Sequence, residues 1–428
     1  NNSVDVISTE LTPMRTAKTL SNNISMTENN VMDSPAERGT PQDAAIILGD
    51  RKFEVAELCG IFLGSTARKA YVCCISLYFY GAMWAYSTVF CNAWSGWLPL
   101  FGLSSAESYY VYLSIWAVVE CTWCLFELDE QIFVQVILAA GRILMLAMMI
   151  VSVLACDFTQ NDSFDLPSDA PGHTTSGGSF EMWNPSYLYI ILPIAFYANI
   201  MHHSVPTLVA PVRDKSQAGE IFVVAFLVTY VAYMTLALVV SSYFGAYSNP
   251  SSNLDWMNYL GMSPSDAQLS GSSLAPLYAR AMSLFIVVFP SLDVASAFPL
   301  NGVTLGNNFM ASYYASKMHE VENDFKKRAV FRLLASVPPI IAAAVVKDLG
   351  PITAYTGLTG VVISLIVPAA LSYSSEKTLE DKGVSSRTVY TLEGTTGSFS
   401  LWIVALGGVS IAYIAYHLIS DGVPAALA

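Results

Sequence analysis

From about residue 69 to residue 420 the chain is a succession of apolar runs, each long enough to cross a bilayer, broken by short polar loops. A hydrocarbon core takes about 20 mostly apolar residues per helix. The runs therefore define an all-α polytopic membrane protein. Only 12% of the residues are charged and 54% are hydrophobic, against about 25% charged in an average soluble domain. The deficit lies within the runs, where a charge at mid-bilayer costs about 2.5–3.5 kcal/mol. The net charge of −13, with no basic cluster to neutralise phosphates, excludes nucleic acid as a partner.

Window length places about nine spans, at 69–94, 109–126, 132–155, 185–205, 220–243, 274–300, 329–347, 351–373 and 398–419. Residues 67–420 form the membrane domain. Residues 1–66 are polar, rich in Ser, Thr and Asn, and lack helical periodicity up to about residue 50; they are expected to be a disordered segment. That segment ends in a short amphipathic stretch at 54–64 on the membrane surface. The chain begins at Asn1 without a signal-peptide core, so a fragment or processed form is expected. Residues 421–428 form a short outer tail.

Positive charge orients the spans. Arg15, Lys18, Arg38, Arg51, Lys52, Arg68 and Lys69 precede or open the first. Arg213 and Lys215 follow the fourth, and Lys317, Lys326, Lys327 and Arg328 follow the sixth. Lys377, Lys382 and Arg387 follow the eighth. These are sixteen of the 20 Lys and Arg, and the alternating loops at 95–108, 156–184 and 245–273 hold none. The N-terminal segment is thus expected in the cytoplasm and the C-terminus outside. A glycosylation sequon, Asn161-Asp162-Ser163, falls on the expected outer side. The membrane is expected to be the plasma membrane or a vacuolar or lysosomal one.

Cys73, Cys74, Cys121 and Cys124 lie inside apolar runs and read as small core residues. Cys121 and Cys124 have the spacing of half a zinc site, but no second half exists. No metal or other cofactor is expected. Cys91 and Cys156 fall at the outer ends of two spans, which leaves a disulfide between them open.

Ionisable residues inside a membrane point to function by default. Arg142 lies about 15 Å into the third span, and Asp293 about 10 Å from the inner end of the sixth. Matched depth makes them candidates for an ion pair with a role in ion coupling. Glu120 in the second span reads as a residue near the inner headgroups, and Arg280 and Arg332 as helix-end residues that snorkel. In the fourth span Asn199, His202, His203 and Ser204 precede Pro206 and Pro211. Proline removes a backbone donor and clashes with the preceding turn, so a broken helix lining a cavity is expected. The stretch 289–308, with Pro290, Pro299, Gly302 and Gly306, is expected to be a second interruption. Ser291, Ser296 and Thr304 there offer oxygens to a small cation. Tyr80 and Tyr86 in the first span are candidates to line the same pocket.

Three stretches carry a family likeness: Tyr78-Phe-Tyr-Gly-Ala-Met-Trp-Ala-Tyr86, the run 195–211 with His203-Ser-Val-Pro206, and Ala297-Phe-Pro-Leu-Asn-Gly-Val-Thr-Leu-Gly-Asn-Asn308. In this order they resemble the third, sixth and eighth helices of the amino acid/auxin permease superfamily, and most of all its transmembrane protein 104-like branch. The resemblance covers about residues 54–420. It implies a LeuT-type fold of two inverted five-helix repeats plus one helix. The spans here would be the family's helices three to eleven, with the first two missing from an N-terminally truncated chain. With the residues read above, it leads to the expectation that an amino acid binds at Tyr80, Tyr86, Asn199, His202, His203 and Ser204, with ion coupling through Arg142, Asp293, Ser291 and Ser296. Arg142 is expected to stand in for a bound cation, making transport proton-linked or ion-independent.

Two functions fit this reading. One is a secondary active transporter of amino acids or related small solutes, working by alternating access. The other is a transporter-like nutrient sensor without net flux. No nucleophile elbow, HExxH motif or phosphate loop is present, so an enzyme is not expected.

Overall fold

A computed structural model describes residues 53–126, 132–159, 163–166, 185–210, 212–249, 251–261, 275–314, 321, 324–383, 385 and 397–420. The described residues are almost entirely helical, with one isolated bridge between Phe164 and Tyr259. Most of the N-terminal segment expected to be disordered, the sequon's Asn161 and the outer tail lie outside the described residues.

The helices are α1 (Val55–Leu58), α2 (Ser65–Trp97), α3 (Ser105–Cys124), α4 (Ile132–Thr159), α5 (Leu188–Ala198) and α6 (Val205–Val209). They continue as α7 (Ala218–Phe244), α8 (Leu277–Tyr314), α9 (Phe325–Val345), α10 (Leu349–Val361), α11 (Val367–Asp381) and α12 (Gly397–Ser420). Among the described residues seven stretches are long and apolar enough to cross a membrane: α2, α4, α7, α8, α9, the α10–α11 pair and α12. This is a multi-pass membrane protein. The expected stretch at 54–64 is helical: α1 runs straight into a π turn over Cys59–Leu63, between caps at Glu54 and Gly64, φ 92°. Ser374 of α11 donates to the Phe62 carbonyl at 2.7 Å and holds that turn against the bundle.

Composition decides which helices face lipid. α7 has a mean hydropathy of 2.4, and its buried residues are Ala218, Val240, Tyr243 and Phe244. α2 is the least apolar of the seven at 1.2, yet it is the hub, packed against α3, α8, α9 and α10. Its polar and small residues are tolerated because they meet protein rather than acyl chains. α3 starts with a capping box. The Glu107 carboxylate accepts from the Ser104 amide at 2.9 Å, and the Ser104 hydroxyl accepts from the Glu107 amide at 3.3 Å.

One core joins α2, α3, α8 and α9 around Trp116, Met83 and Phe298. A second caps one end of α4, α7 and α8, where Trp256 and Phe164 are fully buried. The Trp256 indole donates to Ser152 at 3.0 Å, and Ser283 donates to the Trp256 carbonyl at 2.6 Å. Asp255 beside it is buried and accepts from the Asn249 amide at 2.7 Å and the Ser248 hydroxyl at 3.0 Å. Burial outweighs those two bonds and pushes its carboxyl up to about 6.

Three expectations are corrected here. The stretch 289–308 is not a second break: α8 is continuous through Pro290 and Pro299. A proline inside a helix removes one backbone bond, and packing of α8 on α2, α3, α4 and α9 keeps the helix unbroken through both. Cys91 and Cys156 are buried in separate cores and form no disulfide. Arg332 does not snorkel: it is 2% exposed, and its Nη1 donates to the Cys124 and Leu125 carbonyls at 3.3 Å. The last turn of a helix leaves carbonyls without partners, and a buried cation satisfies them. Arg280 is exposed, as expected.

Candidate functional site

The helix expected to break does so. α5 ends at Ala198, and Asn199 and Met201 leave helical geometry at φ −108°, ψ 11° and φ −135°, ψ −1°. A 3-10 turn, His202–Ser204, then leads into α6, where Pro206 occupies the first turn. Proline is acceptable there because that position has no intrahelical donor to lose. The Asn199 side chain donates back to the Ala195 carbonyl at 2.8 Å. At the far end of α6, Lys215 Nζ donates to the Val209 and Ala210 carbonyls at 2.7 and 2.8 Å. Both loose ends are thereby tied, and the break is a built feature.

Glycines bring α10 against this segment. A Cβ at Gly357 would collide with the Pro193 carbonyl, and one at Gly360 would stand 2.7 Å from Ile200 Cδ1. A Cβ at Gly81 of α2 would likewise collide with Thr356. The break therefore lies against α2. The His203 ring is 5.8 Å from Tyr78 and 5.5 Å from Phe79, and Tyr197 is 5.9 Å from Tyr78. His202 faces Phe226 of α7 at 6.4 Å. Nδ1 of both histidines is buried without a hydrogen-bond partner. A buried polar atom left so costs about 1–3 kcal/mol.

Arg142 and Asp293 meet as expected. Arg142 Nε donates to Asp293 Oδ2 at 3.0 Å and Nη2 to Oδ1 at 2.7 Å. This is the bidentate geometry a guanidinium offers a carboxylate. Gly141, next to Arg142, lets α4 approach Phe289 of α8, which sets the pair's spacing. The Tyr86 hydroxyl lies on the Asn301 side, toward the same pair. Tyr197 has both Tyr78 and Tyr86 as neighbours. A polar strip thus runs from the chain break through Tyr78, Tyr197 and Tyr86 to Asn301 and the ion pair.

Other expected site residues are placed differently. Tyr80 points to the α8–α9 side, where its hydroxyl donates to the Leu334 carbonyl at 2.9 Å and its ring faces Phe309. The Ser291 and Ser296 hydroxyls donate to the Val288 and Asp293 carbonyls of their own helix at 2.6 and 2.8 Å. Ser296 also accepts from Gln135 of α4 at 3.4 Å. Ser204 closes the 3-10 turn through its amide, 2.9 Å from the Met201 carbonyl. Thr304 is exposed. Glu120 stands one turn before the end of its helix and is 1% exposed inside the bundle. Among the described residues no cluster of three His, Cys, Asp or Glu could hold a metal ion.

Tyr78, Tyr197 and Asn301 were not among the expected site residues. Tyr78 stands eight residues before Tyr86, on one helical stripe, and Tyr197 two residues before the polar cluster; either spacing could have included them.

No protein-family model matches the chain. It is similar to the transmembrane protein 104 homolog of Dictyostelium discoideum, 24% identical over 336 residues that cover 77% of this chain and 64% of that protein. The Drosophila melanogaster homolog is 23% identical over 359 residues, covering 77% and 66%. Human transmembrane protein 104 is 22% identical over 380 residues, covering 82% and 69%. The match spans less than two thirds of the length of the first two relatives.

Proposed function

We propose that this protein is a secondary active transporter of amino acids or related small solutes, working by alternating access around the break between α5 and α6. The observation that carries the reading is that break: interrupted backbone, unpartnered histidine nitrogens and three tyrosines sit beside a charge pair between spanning helices. Irregular backbone inside a membrane is tolerated only where protein or a water-filled cavity receives it, and discontinuous helices form the binding sites of many transporters.

We read the fold as the LeuT-type inverted repeat of the amino acid/auxin permease superfamily. The nine expected spans would then be its helices three to eleven, with α5–α6 as its sixth. The charge distribution favours a cytoplasmic N-terminal segment. Arg142, fixed by Asp293, supplies a permanent cation where a coupling sodium would otherwise add charge. Transport is then sodium-independent and driven by protons, across a plasma or lysosomal-type membrane. Binding energy is spent on shifting the inward–outward equilibrium, since only differential affinity for the two states drives it. No chemical step is assigned to the protein.

The test is uptake of labelled amino acids by proteoliposomes holding the full-length protein, with and without an imposed pH gradient and with sodium replaced by choline. Concentrative uptake that survives choline and collapses with a protonophore supports the reading. Sodium-dependent uptake refutes the role given to Arg142. Saturable binding without uptake would make the protein a sensor.

A further inference from the structure

α3 presents one face to the bundle: Tyr109, Tyr112, Leu113, Trp116, Glu120 and Cys124, at helical spacing. All but one are what a core face requires. Glu120 is 1% exposed, and neither carboxyl oxygen has a hydrogen-bond partner. One turn before it, Trp116 packs on Phe90 at 4.4 Å and Phe298 at 5.4 Å and donates to Ser87 at 2.9 Å. One turn after it, Cys124 fills the space left by Gly302 of α8, 2.6 Å from where a Cβ would stand. The carboxyl is closed in by helices already in place.

The groups around it offer no counter-charge. From α9, Arg332 points its Nη1 at the carbonyls of Cys124, Leu125 and Phe126, and the Ser336 hydroxyl donates to the Arg332 carbonyl. From α2, Tyr80 gives its hydroxyl to Leu334, and Met83 and Ser87 carry no charge. α8 contributes Phe298 and Gly302, and α3 itself the Cys121 and Cys124 thiols, with Cys121 Sγ 3.7 Å from Ser336 Oγ. An isolated carboxylate is not stable in such a site. A methionine or glutamine of similar volume would pack there at lower cost if packing were the whole role.

We propose that Glu120 is a proton-binding site sealed between the helices of the bundle, loaded as the neutral acid in the conformation described here. Loading is the simple reaction of a carboxylate with a proton. Discharge requires water to reach the carboxylate, which happens when α3 parts from α8 and α9. A group sealed in one state and wetted in the other binds protons differently in the two, and that difference couples a proton gradient to the conformational cycle. The coupling role rests on the transporter reading; the proton site does not.

The two are tested separately. Infrared difference spectra of the full-length protein in nanodiscs, recorded across a pH titration, should contain the C=O stretch of an undissociated carboxylic acid. Glu120→Gln should abolish it and Glu120→Asp should move it. Absence of the band from the wild type, or its persistence in Glu120→Gln, overturns the proposal. In proteoliposomes, Glu120→Gln should keep exchange of a labelled amino-acid mixture and lose accumulation driven by a pH gradient. Gradient-driven accumulation equal to wild type also overturns it. A wild-type protein that moves no amino acid sinks the transporter reading and leaves the spectroscopic test standing.

Discussion

Arg142 and Asp293, 151 residues apart in the chain, join α4 to α8 through two parallel hydrogen bonds of 3.0 and 2.7 Å. Each charge makes the other tolerable at this depth. Removing one partner strands the other; with the Arg142 side chain 49% and the Asp293 side chain 23% exposed, the cost falls below the roughly 3–5 kcal/mol of a fully buried pair. Asp293→Asn should therefore lower the thermal midpoint and abolish uptake. Arg142→Gln in the same chain should restore the midpoint toward wild type. Thermal unfolding of the single and double variants, followed by tryptophan fluorescence, reads this directly. A double variant no better than the singles would mean that the two side chains are not energetically coupled.

Gly357 allows α10 to pass against the Pro193 carbonyl of α5. A methyl group there meets backbone, which cannot rotate away. Overpacking of this kind costs about 1–3 kcal/mol. Gly357→Ala should lower the midpoint and weaken binding at the chain break, whereas Gly408→Ala, whose Cβ meets nothing within 4 Å, should leave both unchanged. Parallel measurement of midpoint and ligand affinity checks the pair.

Asp255 carries the sign of a pH effect. Its carboxyl, normally near 3.9, is pushed up to about 6 by burial. The folded protein therefore binds more protons than the unfolded chain between these values. The stabilisation is complete below the lower one and is lost as pH rises through the upper one. Screening keeps it on the order of 1–2 kcal/mol. The cap around Trp256 should melt later at pH about 4 than at pH about 7, and Asp255→Asn should remove most of that difference. Near-ultraviolet circular dichroism of the buried tryptophan reports on the cap.

How far the sequence revealed this arrangement depended on how local the cause was. The break after Ala198 was legible because Pro206 and the polar run 199–204 act within one turn. The Arg142–Asp293 pair was legible because depth along a helix is countable. Pro290 and Pro299 misled, since whether a proline breaks a helix is decided by the neighbours that hold it, and α2, α3, α4 and α9 come from distant parts of the chain. Tyr80 and Tyr86 could not be separated without knowing the rotation of α2, which turns one to Leu334 and the other to Asn301. Glu120 was legible as an acid near a helix end, but its burial was not, because packing between helices leaves no mark in a single run.

The claim on which the account turns is that the segment between α5 and α6 lines a cavity opened alternately to the two sides of the membrane. Single cysteines at Asn199 and Ser204, in a full-length background with the native cysteines replaced, can be exposed to a membrane-impermeant thiol reagent from either side. The account predicts that both are labelled, and that saturating amino acid shifts the labelling rate from one side to the other in opposite directions. Equal labelling with and without amino acid, or protection from both sides throughout, would contradict it.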